Sequence, residues 1–527
     1  MSQEKNLLFR MIVPAFPAFN VYSRIARQTT ALGPVCVATV INRMDGWCVE
    51  MIDENNYRKF GPRDNDGWPD HSLLQTIRHA EYAGFYGGLS STVPRLYELA
   101  RQYREKGVVT IGGGQHFVGE NIRDGLENGL DYIVLGEGEN TVPELLMKLA
   151  SGDDPSMVRG LAYLSEGELV MTGERPEITD FESLPLPDFN LIRYARINLY
   201  PVSWVRGCNM HCEFCTVKGA PRPASVERVV RQVIDQVEKN NARHFFIVDD
   251  LFGSRRQEAL QLCGLLAEYQ NAIGIKLDIT VQIRLDRGRD TELLTAMREA
   301  GITMVCIGYE SPIPEELEAM DKRVKPDDMH EMTTLFHKAG FLVHGMFIFG
   351  YPLPQGTDFT MSVEERIKHF RSFINKSRID TIQVLLPVPL PGTDLTRRLK
   401  EHNRILPLKD IGWEYYDGNF PLIKPDPPLT PEGLHMAIKK LMGRFYRFRA
   451  LFAIVVNVVV FPAMIFSLWN IKFGWRIWYR SWRNGIIRFG GWIVVRHWKS
   501  DFKKSRFSDK LTSAQTERDI SKANLDV

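Results

Sequence analysis

The chain has 527 residues, of which 44% are hydrophobic, 25% are charged and seven are cysteines. This composition excludes a disordered chain, a collagen-like fibre and a small disulfide-stapled secreted domain, and the length predicts about three to four domains. The formal net charge is only +2, yet the stretch between Glu432 and Asp501 has no acidic residue and carries twelve Lys or Arg. An acidic body is therefore followed by a basic C-terminal segment.

The N-terminus shows no apolar core followed by a small-residue cleavage site, so no signal peptide is expected. Residues 1–165 predict a doubly wound, Rossmann-like α/β domain, because short apolar strands alternate with helical segments. In such sheets, ligands bind beyond the carboxyl ends of the strands, where small residues cluster in this chain. The candidate cofactor-binding residues there are Ser90, Ser91, Thr92, Gly113, Gly114, Gly136, Glu137 and Gly138. The alternative is that the glycines only close tight turns.

A proline-rich linker is expected over residues 166–199, and a second β/α series over residues 200–395. About six β/α units in that series predict a partial (β/α)6 barrel, in which functional residues lie at the carboxyl ends of the strands. Residues 396–440 are expected to extend the barrel on the substrate side.

Three cysteines stand close together directly after the first strand of the barrel. Cys208, Cys212 and Cys215 follow a C-x3-C-x2-C pattern. Thiolates are the usual ligands of iron–sulfur clusters, and three of them leave one iron of a cubane without a protein ligand. That iron can bind a small molecule, as an open zinc position does. A zinc site with His211 as fourth ligand is the alternative, although the spacing is not that of paired zinc-finger ligands.

This cysteine motif, with Phe214 before the last cysteine, resembles the signature of the radical SAM superfamily. The resemblance implies a [4Fe-4S] cluster on Cys208, Cys212 and Cys215, with S-adenosylmethionine on the open iron. One electron, from a donor such as a ferredoxin or flavodoxin, would cleave that molecule to methionine and a 5′-deoxyadenosyl radical. The resemblance also implies that later strands contact S-adenosylmethionine, through Asp249, Asp250, Gln282, Arg284, Glu310 and Ser311. Each of these six has an ordinary surface or ion-pair role as its alternative.

The segments TIGGGQH and GEGE of the first domain are similar to the cobalamin-binding subgroup of that superfamily, and the likeness covers roughly residues 1–430. It implies that the first domain presents cobalamin to the mouth of the barrel. The D-x-H-x-x-G loop of classical cobalamin proteins is missing, so His116 is not expected to be a cobalt ligand. Tyr309, His344 and Tyr351 are candidate proton acceptors, with simple packing as the stronger interpretation.

The last part of the chain, residues 441–527, is expected to be helical, basic and rich in tryptophan. Residues 450–471 carry no charge, and six of the ten Trp follow Asn457 in the sequence. Trp and Arg together suit the headgroup layer of a membrane, whereas nucleic acid and a buried helix are the alternatives. We expect peripheral or re-entrant attachment to the cytoplasmic face of a membrane and no nucleic-acid partner.

These features predict a cobalamin-dependent radical SAM methyltransferase that acts on an unactivated carbon of an apolar substrate. Hopanoid methylases have a similar layout, and a hopanoid lipid or a tetrapyrrole is the candidate substrate. The first alternative is a radical SAM oxidative cyclase or carbon–carbon coupling enzyme. The second is a non-catalytic cobalamin- or metal-binding protein at a membrane.

Overall fold

The computed structural model describes residues 7–322, 324–448 and 471–511, without the side chains of Tyr22, Asp250 and residues 471–484. The first domain is a seven-stranded sheet in the order β2-β1-β3-β4-β5-β6-β7. Its strands are β1 Leu7–Val13, β2 Trp47–Asp53, β3 Tyr82–Tyr86, β4 Val109–Gly113, β5 Tyr132–Val134, β6 Leu161–Ser165 and β7 Glu168–Met171. Its helices are α1 Tyr22–Ile25, α2 Leu32–Ile41, α3 His71–Ile77, α4 Val93–Arg104, α5 Glu120–Glu127 and α6 Gly138–Ser151.

Strands β1 to β5 are parallel, and their order reverses beside β1, as in a doubly wound sheet. Strands β6 and β7 add an antiparallel hairpin at one edge. The two residues between them, Glu166 and Gly167, have φ angles of +51° and +84°, which suits a tight hairpin turn. Strand β7, which is only four residues long, lies within the range expected to be a linker.

The second sheet is parallel throughout and has six strands in the order β15-β14-β13-β12-β11-β8. The strands of this part are β8 Leu199–Val202, β9 Val205–Arg206, β10 Arg222–Pro223, β11 His244–Phe252, β12 Asp278–Ile283, β13 Ile302–Glu310, β14 Leu342–Ile348 and β15 Thr381–Leu385. The helices that connect them are α7 Val226–Asn240, α8 Arg256–Ile273, α9 Thr291–Glu299, α10 Pro314–Ala319, α11 Pro326–Lys338 and α12 Val363–Lys376. This is the predicted partial barrel, so the carboxyl ends of all six strands meet at one edge.

Among the described residues, four helices follow the barrel: α13 Asp394–Glu401, α14 Leu408–Ile411, α15 Pro431–Phe445 and α16 Ile471–Lys503. The end of α16 returns to the body of the protein, where Phe502 stacks on Phe420 at 4.8 Å between ring centroids. Trp498 is only 2% exposed beside it, so this tryptophan belongs to the core, and its predicted place at a membrane is wrong. None of the described helices is long and apolar enough to cross a bilayer. Nearly all of the uncharged run 450–471 lies outside the described residues.

Candidate active site

The three motif cysteines lie on one loop, which a short ribbon closes. Strands β9 and β10 pair antiparallel, with Arg206 opposite Arg222, and residues 207–221 form the loop between them. Gly207 has φ +85°, and a Cβ there would lie 2.7 Å from the carbonyl oxygen of Ala220, so the loop requires glycine at its start. We call residues 207–221 the cysteine loop.

Within the cysteine loop, Cys208 is 8% exposed and Cys212 and Cys215 are half-buried. The backbone N–H of Val217 donates to Cys215 Sγ at 3.4 Å. In the part of the chain that the structure describes, no group of three or more His, Cys, Asp or Glu is gathered to hold a metal ion. A cubane presents a separate iron to each thiolate, so the sulfurs of such a site do not converge on one ion.

Glu213, between the last two cysteines, ties the loop to the helix after the barrel. Its carboxylate accepts two hydrogen bonds from Arg398 on α13, at 2.5 and 2.9 Å, and one from the Tyr351 hydroxyl at 2.6 Å. The backbone N–H of Leu395 donates to the Glu213 carbonyl at 3.0 Å, and Phe214 packs edge-on against the Tyr351 ring. Sequence reasoning missed Glu213 and Arg398, because the two stand 185 positions apart.

The predicted S-adenosylmethionine residues of β11 and β12 lie at the carboxyl ends of their strands. Asp249 is 2% exposed, and its Oδ1 accepts from the backbone N–H of Trp204 at 2.8 Å, which joins β11 to the segment before the cysteine loop. Gln282 is half-buried. Arg284 pairs with Asp286 at 3.2 Å and donates to Met210 Sδ of the cysteine loop at 3.4 Å. The side chain of Asp250 lies outside the described residues.

Strand β13 ends beside the cysteine loop with Glu310, which has φ +60°. Its carboxylate lies 3.0 Å from Lys322 Nζ, and both charges affect the pKa of the Cys212 thiol. Burial raises the pKa of the Cys212 thiol, Lys322 lowers it, and Glu310 and then Cys208 raise it further. The next residue, Ser311, is fully buried and donates to Glu316 rather than facing the loop. Lys322 had no sequence signal, since it stands in a charged turn like many others.

A cavity of about 700 Å³ lies between the two sheets, at the carboxyl ends of their strands. The cysteine loop borders it through Gly207 and Val217, and apolar side chains such as Phe9 and Val142 form its walls. Five predicted cofactor-binding residues line it: Gly113, Gly114, Gly136, Glu137 and Gly138. Apolar walls with a few polar groups and this volume are typical of a small-molecule or cofactor site.

Two neighbouring glycines at the floor of this cavity differ in what surrounds them. Gly114 has φ +127°, and a Cβ there would lie 2.5 Å from the carbonyl carbon of Gly87, so the protein itself requires glycine at that position. A Cβ on Gly113 would meet nothing closer than Val134, at 3.7 Å. The space beside Gly113 is therefore open to a ligand that approaches the backbone.

The predicted residues Ser90, Ser91 and Thr92 do not line the cavity. They form a buried turn of 3-10 helix before α4, and Ser90 Oγ is 3.0 Å from His116 Nδ1. His116 is 1% exposed, and its ring lies edge-on to Trp413 at 4.6 Å. Burial lowers the pKa of His116 to about 4, so the ring is neutral at physiological pH.

The three candidate proton acceptors have packing and hydrogen-bonding partners inside the protein. The Tyr309 hydroxyl is 2.6 Å from Thr333 Oγ1, His344 Nδ1 is 2.8 Å from Thr381 Oγ1, and Tyr351 donates to Glu213. Burial raises the pKa of Tyr309 and Tyr351 and lowers that of His344 to about 4. These contacts favour the packing interpretation of all three residues.

Glu137 at the start of α6 connects the first domain to the cysteine loop. It accepts hydrogen bonds from Arg206 at 2.9 Å, from Arg222 at 2.9 and 3.1 Å and from the Ile178 N–H at 2.6 Å. Arg206 also reaches Glu139 at 2.6 Å. Burial raises the pKa of Glu137, but Arg222, the Ile178 N–H and Arg206 together hold it below its ordinary value.

Residues 202–359 match the family model described as the radical SAM superfamily. This part of the chain is therefore a radical SAM domain. The match covers the cysteine loop and the strands β11 to β14. It implies the [4Fe-4S] cluster and the S-adenosylmethionine that the cysteine motif predicts. The assignment of Cys208, Cys212 and Cys215 as its ligands stays a prediction.

The sequence similarity to relatives of this chain extends over both domains. An uncharacterized methyltransferase of Pyrococcus horikoshii is 25% identical over 374 residues, which cover 68% of this chain and 78% of the relative. The hopanoid C-2 methylase of Rhodopseudomonas palustris is 25% identical, with 69% and 63% covered. The anaerobic magnesium-protoporphyrin IX monomethyl ester cyclase of Cereibacter sphaeroides is 26% identical, with 61% and 52% covered. The chain thus spans less than two thirds of the last two relatives.

Two solved structures share the fold. The radical S-adenosylmethionine methyltransferase TsrM from Kitasatospora setae, with cobalamin and a [4Fe-4S] cluster bound, has a TM-score of 0.61 at 16% identity, with 91% of this chain and 98% of that chain covered. The cobalamin-dependent S-adenosylmethionine radical enzyme OxsB, with aqua-cobalamin and S-adenosylmethionine bound, has a TM-score of 0.64 at 15% identity, with 99% and 81% covered. These likenesses confirm the predicted architecture, a doubly wound domain followed by a partial barrel and a helical extension.

Proposed function

We propose that this protein is a cobalamin-dependent radical SAM methyltransferase that methylates an unactivated carbon of an apolar substrate. The observation that carries the proposal is the shared cavity, which has the backbone of Gly113 on one side and Gly207 and Val217 of the cysteine loop on the other. A flat cofactor on the glycines would therefore lie within reach of a substrate held at the cysteine loop. Several relatives are named as methyltransferases or methylases, which supports the reaction class.

When bound, the cluster with S-adenosylmethionine supplies a 5′-deoxyadenosyl radical, and cobalamin supplies the methyl group. The residues of this chain bind and orient these groups and shield the radical from water. Glu213 and Arg398 hold the middle of the cysteine loop. Lys322 and Glu310 present opposite charges beside Cys212, where the amino acid part of S-adenosylmethionine needs partners. The apolar walls of the cavity exclude water, which protects a reactive radical.

Following the methyl group of S-adenosylmethionine distinguishes a methyltransferase from the alternative reactions. The anaerobically reconstituted protein is incubated with a reductant, cobalamin and S-adenosylmethionine that carries a deuterated methyl group, together with a lipid or pigment extract from a strain that lacks this gene. The proposal predicts a product that gains a labelled methyl group, with 5′-deoxyadenosine released. A product that forms without label indicates an oxidative cyclase, and no 5′-deoxyadenosine from cluster-loaded protein indicates a binding protein.

The substrate class is a proposal that rests on the relatives. A hopanoid lipid is supported by the hopanoid C-2 methylase, and a tetrapyrrole by the magnesium-protoporphyrin cyclase. Comparing the lipids and pigments of wild-type and deletion strains separates the two, because the true product is missing from the deletion strain and its precursor, lighter by one methylene, accumulates there.

We also propose that α16 and the residues directly after α15 form a face that binds an anionic membrane on the cytoplasmic side. Phe448 is 57% exposed, and Ile486 and Ile493 are 44% and 40% exposed. The Phe448 ring contacts Trp492 at 5.2 Å between centroids, and the Arg496 guanidinium lies over the same indole at 5.4 Å. Exposed apolar and aromatic groups among basic side chains, with no acidic residue from position 433 to 500, are typical of interfacial helices.

Sedimentation with vesicles tests this membrane face. The full-length protein is expected to pellet with phosphatidylglycerol vesicles and to remain in the supernatant with phosphatidylcholine vesicles. The double variant Phe448→Asp, Ile493→Asp should lose this binding. Met157→Asp is the matched control, since Met157 is 80% exposed on the first domain and should leave binding unchanged. Equal pelleting of the double variant and the native protein would contradict the assignment of this face.

A further inference from the structure

The cysteine loop begins directly after Arg206 and ends directly before Arg222, and one carboxylate of the first domain contacts both arginines. Glu137 Oε1 lies 2.9 Å from Arg206 Nη1, and Glu137 Oε2 lies 2.9 Å from Arg222 Nη1. Glu139, two residues further on, contacts Nη2 of Arg206 through its Oε1 at 2.6 Å. The entry and the exit of the loop are thus held from outside the barrel.

The ribbon that closes the loop is too short to fix it alone. Strands β9 and β10 have two residues each, and one of the four is Pro223, which has no N–H to donate. Isolated two-stranded ribbons are marginal in water even when they are longer. The guanidinium groups of Arg206 and Arg222 extend from this ribbon to Glu137, so the charged hydrogen bonds supply what the ribbon lacks.

The same residue borders the proposed cobalamin cavity. Gly136 has φ +82° and turns the chain so that the backbone of residues 136–138 lines the cavity, while the Glu137 carboxylate points to the loop. The side chains of Glu137, Arg206 and Arg222 are 20%, 25% and 15% exposed, so their bonds are partly shielded from water. A movement at the glycine floor of the cavity therefore reaches both ends of the cysteine loop through Glu137, whereas Glu139 contacts only Arg206.

We infer that Glu137 is a positioning residue that sets the place of the cysteine loop, and hence of its cluster, relative to the floor of the cofactor cavity. This inference rests on the proposed function and deepens it. A second carboxylate of the same helix serves as the control, because its ion pair lies away from the cysteine loop. Glu144 pairs with Arg175 of the segment after the first domain and has no contact with the cysteine loop.

The test compares Glu137→Gln with Glu144→Gln in anaerobically reconstituted full-length protein. Iron release to a chelator and the electron paramagnetic resonance spectrum of the reduced cluster, with and without S-adenosylmethionine, are the readouts. Loss of a group that orients metal ligands typically weakens metal binding by about 10–100-fold. We expect iron release from Glu137→Gln to be faster by about that factor and its spectrum to be broadened, whereas Glu144→Gln should match the native protein.

Arg222→Lys keeps the test decisive if Glu137→Gln does not fold. Lysine retains the charge but makes one bond in place of the forked pair, so iron release should fall between native and Glu137→Gln. In the double variant Glu137→Gln, Arg222→Lys, iron release should increase by less than the product of the two single effects, because both changes remove the Glu137–Arg222 contact. Native-like iron release and spectra in folded Glu137→Gln, or in Arg222→Lys, would overturn the inference. A native protein that takes up no cluster would instead overturn the proposed function.

Discussion

Replacing Arg398 with methionine is expected to release the cysteine loop on the side of α13. Arg398 donates two hydrogen bonds to Glu213 and one each to the carbonyl oxygens of Pro352 and Leu353. Methionine fills similar space without a donor, so the Glu213 carboxylate would keep only the Tyr351 hydroxyl. The change therefore leaves a largely buried charge without its counterion.

The size of the effect follows from the burial of the pair. Removing one partner of a buried ion pair costs about 3–5 kcal/mol, and the Arg398 and Glu213 side chains are 20% and 19% exposed. We therefore expect Arg398→Met to cost about 3 kcal/mol, the lower end of this range. At about 1.4 kcal/mol per factor of ten, local opening of the loop should become roughly 10²-fold more frequent.

Native-state hydrogen exchange measures this opening directly. Exchange should accelerate in peptides that cover residues 208–217 and at the start of α13, where the Leu395 amide donates to the Glu213 carbonyl. Arg397→Met is the control, because Arg397 is 72% exposed and only pairs with Asp394 one turn away, an arrangement that contributes little. Unchanged exchange in the cysteine loop of Arg398→Met, or equal acceleration in both variants, would refute the reasoning.

Three further predictions concern the cluster, the cavity and pH. Cys208→Ala should abolish the visible absorbance, the bound sulfide and the release of 5′-deoxyadenosine after reconstitution, and full activity in this variant would remove the cluster from the mechanism. Gly114→Ala should lower the thermal stability, because its Cβ would lie 2.5 Å from backbone. Gly113→Ala should fold normally, since its Cβ would meet nothing closer than 3.7 Å, but it should weaken cobalamin binding in an absorbance titration. Native cobalamin affinity in Gly113→Ala would place the cofactor elsewhere. Burial raises the pKa of Asp417 to about 7, and its Oδ2 is shielded from solvent although the residue is partly exposed. The stabilising contribution of this carboxyl is therefore complete below about pH 4, its ordinary range, and is lost as the pH rises through about 7. Asp417→Asn should gain thermal stability relative to the native protein between those values, and a pH-independent difference would contradict the burial argument.

The amino-acid sequence by itself determined the parallel strands of both sheets and the loop that carries the three cysteines. Strand and helix periodicities are local, so the alternation of elements was readable in both domains. The three cysteines stand within eight residues of one another directly after a strand, so their common loop and its place at the barrel mouth required no tertiary information. The glycines after β4 and β5 were readable for the same reason, since parallel strands bring their carboxyl ends to one edge.

Only the tertiary structure decided which charged residues meet at that loop. Glu213 finds Arg398 across 185 positions, and Glu137 finds Arg222 across 85. Nothing in the local pattern distinguishes these side chains from the many surface charges of the chain. Ser90 shows the converse, because it follows a strand as a ligand-binding residue would, yet it turns inward to His116. Local periodicity decides which segments become strands and helices, whereas the packing of distant segments decides which partner each polar side chain finds.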